Sequence, residues 1–326
     1  MDALMEISRT FLMCIALAMT ISNGCLHRKA MTVNPVAPAV FFEAPRLEDV
    51  IRVVNENSTR VQQLQTTGAT LFTHGYNLRA DMAFARPNRF RLKAGTMLTG
   101  SEFDLGSNDE LLWLWVDRIR PPAIYFARHS DMRTGRVRDS IPVSPEFLVE
   151  GMGIIWLDPS LPHEGPWRTQ PGRIEIRTPV RLSDTDCWRT IVLDDTRGWT
   201  LEQRVVDGKG ELLVRSITTD HRYDATNGVS LPHRIHIAIP AAHIDFELRV
   251  DQYVVNQLLA ESQTLFEMPH PTGAAVLDLA NPNVRNPFHI PSQTRQTQPI
   301  KERRGESSRL SGRHWLKRYN GFDTLH

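Results

Sequence analysis

The sequence predicts a mainly β (α+β) fold in a single large domain, on three observations. Apolar and polar residues alternate with a period of two in segment after segment from Tyr76 to Asp251. Short turns rich in Gly, Asn and Asp join these segments, which describes an antiparallel meander of about a dozen strands rather than βαβ units. Only one long stretch, from Arg46 to Gln65, carries the three-and-four spacing of an amphipathic helix.

In chain order, residues 1–24 read as an export signal. Arg9 flanks an apolar run from Thr10 to Ile21, followed by Ser22-Asn23-Gly24-Cys25. The run is short for a permanent membrane span. Gly24-Cys25 is similar to the cleavage point of bacterial lipoproteins, which makes Cys25 the expected lipidation site and the membrane the expected partner. Ser22 stands where such signals usually carry an aliphatic residue, so plain secretion and a retained anchor remain alternatives. Residues 25–45, with Pro35, Pro38 and Pro45, read as a tether.

The helix follows, with Leu47, Val50, Ile51, Val54, Val61 and Leu64 on one face and Glu43, Glu48 and Asp49 at its positive end. Asn55, Asn57, Ser58 and Thr59 interrupt the stripe and are expected to bend or fray it. Strands then run through Tyr76–Phe84, Phe90–Ala94, Met97–Leu105, Leu111–Val116 and Ile124–Phe126. Leu111–Val116 is apolar on both faces and is therefore placed centrally, covered on both sides. Residues 128–171 interrupt the pattern. Ser144-Pro145-Glu146 opens a short helix there, and the stretch from Asp158 to Pro166 reads as a loop. Strands resume at Ile174–Ile176, Trp188–Leu193, Trp199–Val206, Glu211–Thr219, Ile235–Ile239 and Ile244–Val250. The domain is set at residues 46–280, and residues 281–326 form a polar tail expected to be disordered.

The 326 residues carry a formal net charge of +1. The tail holds nine Lys or Arg against three Asp or Glu, so the rest of the chain is mildly acidic. Nothing in the body is basic enough to argue for nucleic acid. Once Cys14 leaves with the signal and Cys25 is acylated, Cys187 has no cysteine to pair with. The domain must then be held by its core.

Motifs for chemistry are weak. His74-Gly75 reads as a turn. His129, Ser130 and Asp131 are adjacent, whereas a triad converges from separate elements, and no Gly-x-Ser-x-Gly elbow occurs. His221, His233, His236 and His243 lack the spacing of a zinc set. Glu102 with Asp104, and Asp245, Glu247 and Asp251 with Arg249, read as solvated sheet faces. No catalytic residue, metal or cofactor is expected.

The helix before a meander, the central interruption, Pro87-Asn-Arg-Phe-Arg-Leu92 and Leu105-Gly-Ser-Asn-Asp-Glu-Leu-Leu-Trp-Leu-Trp115 together resemble the LolA/LolB superfamily of lipoprotein carriers and receptors, particularly envelope lipoproteins of planctomycete type. The resemblance covers roughly residues 46–270. It implies a strongly curved, unclosed antiparallel β-barrel with helices covering or plugging its concave side. It also implies a cavity that takes acyl chains, lipids or lipoproteins. Its receptor members are themselves lipoproteins, which suits Cys25 and an outer-membrane address. On such a sheet Trp113, Trp115, Phe126, Trp188 and Trp199 are candidates to line the cavity. Arg79 and Arg91 are candidate anchors for an anionic group. A ligand cavity of about 300 Å³ or more is expected. The alternatives are a structural or interaction lipoprotein with a filled core, and a hydrolase of unknown class.

Overall fold

The computed structural model describes residues 35–98, 100–132, 137, 145–182, 185–258 and 264–284. The export signal, Cys25 and most of the basic tail lie outside these residues. So does Ser144, the expected helix cap.

Fourteen strands form one sheet. They are β1 (Gln63–Thr73), β2 (Tyr76–Ala85), β3 (Arg89–Thr96), β4 (Gly100–Ser107), β5 (Leu111–Val116), β6 (Ala123–Arg128), β7 (Glu164–Gln170), β8 (Arg173–Leu182), β9 (Thr185–Asp194), β10 (Thr200–Asp207), β11 (Leu212–Asp224), β12 (Val229–Ile239), β13 (Ile244–Val255) and β14 (Ala275–Asp278). Among the described residues three α-helical segments accompany them, α1 (Leu47–Arg60), the single turn α2 (His129–Met132) and α3 (Pro145–Gly151), with a 3-10 turn at Pro240–Ala242.

The strand order is 14-6-5-4-3-2-1-13-12-11-10-9-8-7, so the sheet is curved and unclosed, as expected. Two meanders build it: β1 to β6 runs outward from the middle, and β7 to β13 runs back inward. The pairing of β1 with β13, from Leu64 opposite Val255 to Phe72 opposite Glu247, joins the two halves. Neighbours are antiparallel except β14, which lies parallel to β6.

Because β6 and β7 lie near opposite ends, the chain between them crosses one face, here called the inner face. That segment is the interruption seen in the sequence. Its Leu148, Val149, Met152 and Ile154 join the main core with Leu64, Leu71, Met82, Phe90, Leu92, Leu105, Leu114, Ile235, Ile237 and Leu248. Further along, Ile155 and Leu157 pack with Val50, Val53 and Val54 of α1 over Ile174, Ile176, Ile191 and Leu193. The crossover and α1 therefore cover the inner face together.

Helix α1 ends at Arg60, earlier than the periodicity suggests, and Val61 and Leu64 belong to the sheet core. Nor do its polar residues fray it. The buried Asn55 amide bonds the Leu157 backbone in both directions: its Nδ2 donates to the carbonyl at 2.7 Å and its Oδ1 accepts from the N–H at 2.8 Å. Asn57 does the same to Ser230 on β12, at 3.4 and 3.1 Å. A side chain that satisfies two backbone groups at once is what an otherwise apolar helix face needs to dock on a strand or crossover. Gly198, with φ +67°, brings the β9–β10 turn close to the helix; a Cβ there would lie 2.8 Å from Val53 Cγ1.

The double apolarity of β5 predicts a central place, but the strand is third from an edge. Its two faces are still both covered. Leu114 joins the main core, Leu112 on the same face packs with Tyr125, Ala127 and Leu279, and Trp113 is fully buried on the outer face. There the indole lies across Gly106, where a Cβ would sit 2.0 Å from Cζ2. Its Nε1 donates to Asp104 Oδ1 at 3.1 Å.

Asp104 is not part of a solvated face. It is buried and paired with Arg91, whose Nε and Nη2 donate to the two carboxylate oxygens at 3.1 and 2.7 Å. Arg91 Nη1 donates to the Leu265 carbonyl, and neighbouring Phe266 packs on Ala83 and Ala85. Breaking a buried pair by removing one partner strands the other charge. Asp104→Ala is expected to lower unfolding stability by about 3 kcal/mol or more in urea titration, while Arg91→Leu with Asp104→Leu costs markedly less. Equal losses for the single and double variants would refute this account.

Candidate functional site

Two concavities stand out. The first is an apolar pocket of about 200 Å³ on the inner face. Leu71, Leu78, Leu92, Ala94, Phe103, Leu105, Leu114, Ile244 and Phe246 line it from β1 to β5 and β13, with Thr73 at one side and Leu148 of α3 across it. The walls follow from strand parity: Leu92, Leu105 and Leu114 lie opposite one another on neighbouring strands and so share a face.

Leu148 is held in place from the polar side of the same helix. Glu150 Oε2 lies 3.1 Å from Arg189 Nη2 and accepts from Gln203 Nε2 at 3.3 Å. The Gly151 carbonyl accepts from the Ser216 hydroxyl at 2.7 Å. α3 thus inserts an apolar residue into one half of the sheet while its far end is hydrogen-bonded to the other.

None of the five aromatic candidates lines this pocket. Trp113, Trp115 and Phe126 stand in register with one another or with Gly106, Asp104 and Ile124, on the outer face. The physical reason is the two-residue period: if Leu112, Leu114 and Val116 face inward, residues 113 and 115 cannot. Trp188 is partly exposed on β9, opposite Pro179 and Val206. The two arginines are equally displaced. Arg91 is committed to Asp104 and Leu265, and Arg79 is exposed beside Asp81 and Lys93 on the outer face. The aliphatic lining is what sequence reading missed. Its signal was the alternation itself, read on the even-numbered positions of β5 instead of on the tryptophans.

Trp199 borders the second concavity, about 410 Å³, between α1 and the β9–β10 and β11–β12 turns. Its ring stacks on His221 with centroids 4.9 Å apart and planes 8° from parallel. The guanidinium of Arg197 lies 5.0 Å from the same ring. His221 Nε2 donates to the Thr200 carbonyl at 3.0 Å, and the Thr218 hydroxyl donates to it as well. The indole N–H of Trp199 is buried without an acceptor among the described residues. Such an orphan costs about 1–3 kcal/mol.

The remaining histidines do not converge. His129 Nε2 donates to the Asn108 carbonyl, His233 Nδ1 to Val250, and His236 meets Asp245. The Cys187 thiol is buried, and burial pushes its pKa up, which makes it a poor nucleophile at neutral pH.

An unclosed antiparallel sheet whose inner face is covered by one helix and by its own crossover is the architecture that the sequence resemblance implies. No family model matches the chain, and no curated protein does. Solved structures similar to it include a Vibrio parahaemolyticus domain named for outer membrane lipoprotein sorting, at 13% identity and TM-score 0.44, covering 67% of this chain and 97% of that one. A LolA superfamily protein from Nitrosomonas europaea is similar at 10% identity and TM-score 0.43, covering 69% and 99%. A DUF1329 family protein from Desulfovibrio piger is similar at 9% identity and TM-score 0.37, covering 68% and 99%.

Burial depresses the His221 pKa from 6.5 to about 4, against the opposing hydrogen bond to Thr200. Between these values the unfolded chain binds the proton and the folded one does not, so stability falls as pH drops across that window. The full contribution is on the order of 3 kcal/mol. His221→Gln is expected to remove it, flattening this part of the profile in urea titrations at pH 7, 5.5 and 4. Parallel profiles for the variant and the parent would contradict the assignment.

Proposed function

We propose that this protein is a non-catalytic envelope lipoprotein that holds an acyl chain or another apolar group in the inner-face pocket. The observation that carries the reading is the pocket itself. Ten of its eleven lining residues are apolar, and one of them, Leu148, comes from a helix that is tethered and not part of the sheet. At about 200 Å³ it is smaller than ordinary ligand sites of roughly 300 Å³ upward. A single flexible chain entering alongside or in place of Leu148 suits it better than a bulky ligand. The LolA-like fold class supports the same reading, and lipid or lipoprotein cargo is its natural chemistry.

Leu148→Ala is expected to enlarge the pocket and tighten binding of a fluorescent fatty acid, whereas Ala94→Leu narrows it and weakens binding, each by several-fold. Loosening α3 with Glu150→Ala should speed uptake of the same probe. Lipid extraction and mass spectrometry of protein purified from its native envelope should recover stoichiometric lipid. The small volume also favours a second reading, a structural or interaction lipoprotein with a filled core. A lipid-free native protein that ignores the fatty acid would establish that reading and end the first.

The proposed address is the periplasmic side of a membrane, the outer membrane in preference to the inner, with Cys25 as the lipidated anchor. Among the described residues no helix is long and apolar enough to cross a membrane. Cys25→Ser should move the protein from the membrane to the soluble fraction. Unchanged partitioning with unchanged processing would remove the lipid anchor from the proposal.

A further inference from the structure

We infer that the cavity between α1 and the β9–β10 turn is a second binding site, formed for a small organic anion and independent of the apolar pocket. Its volume of about 410 Å³ falls within the range of small-molecule sites. The charge on its walls is unbalanced. Arg52, Arg60 and Arg197 line it with Glu56 as the one carboxylate, and Glu56 is taken by Arg52 at 3.1 Å. Arg60 gives one donor to the Gly228 carbonyl, and Arg197 is laid over the Trp199 ring. Neither Arg60 nor Arg197 has a carboxylate partner among the described residues.

A planar guanidinium with its fork unoccupied matches the paired oxygens of a carboxylate or phosphate. The rest of the cavity indicates what such a group would be attached to. The stacked Trp199 and His221 rings line it on one side, and Val40 and Val53 add apolar surface. Unpaired charge beside aromatic and aliphatic surface in one cavity fits an anion with an aromatic or compact apolar body better than a bare ion.

The test is calorimetric titration of the purified full chain with phenyl phosphate, benzoate and inorganic phosphate. At least one organic probe is expected to bind saturably at a single site. Arg197→Gln, which leaves the turn's backbone bond to Asp194 available, should weaken it about tenfold or more. Trp199→Phe keeps a ring in the stack while shrinking the aromatic wall, and should weaken binding to a smaller degree. Leu148→Ala, in the other pocket, should leave it unchanged. The proposal is overturned if neither organic probe saturates, or if Arg197→Gln binds as the parent does. Inorganic phosphate binding as tightly as phenyl phosphate overturns it too, since that would describe an ion site with no organic specificity.

Discussion

Everything in this fold depends on one topological constraint: β6 and β7 lie near opposite ends of the same sheet, and the chain must travel between them over a face. A segment laid across a strongly apolar surface carries its own backbone polar groups with it, and these need partners away from water. Asn55 of α1 supplies them for Leu157, and Ser216 supplies one for Gly151. The crossing is therefore both the plug of the inner face and the means by which α1 is fixed to it. The apolar pocket is what remains where the crossover does not fill the sheet completely.

The two faces solve burial differently. Inside, apolar side chains from both halves of the sheet meet apolar side chains of the crossover, and polar groups serve to position α3. Outside, the first half of the sheet carries Arg91, Asp104 and Trp113 as a bonded set, with Leu265 and Phe266 over it. An ion pair excluded from water adds little net stability compared with apolar residues of the same shape, but it tolerates no missing partner. Such a set rewards one register of β3, β4 and β5 over its neighbours, since a one-residue slip would send Arg91 and Asp104 to opposite faces.

Much of the sheet was legible in the sequence because period-two alternation and glycine-rich turns are local signals. Where the fold departed from that reading, the cause was tertiary. β1 was hidden because Val61 and Leu64 continue the spacing of α1 by coincidence of phase. β7 was hidden in a loop-like stretch containing Pro166, and β14 by its shortness. The candidate site was legible only as a class. Alternation told which residues of β5 share a face, but the face that would be plugged is set by the route of the crossover some 35 residues later. Asp104 and Arg91 looked like surface charges because their mutual pairing joins separate strands. Arg197, Trp199 and His221 come from two strand ends and carry no motif at all.

The seam between β1 and β13 has a consequence in time. Leu64 waits for Val255, about 190 residues further along the chain, and closing so long a loop is slow relative to forming hairpins. β2 can cover one side of β1 as soon as the first hairpin forms. The other side of β1 is an open row of backbone donors and acceptors until the thirteenth strand arrives. For this chain an open edge thus lies not only at the rims of the finished sheet but also, until β13 arrives, at its middle.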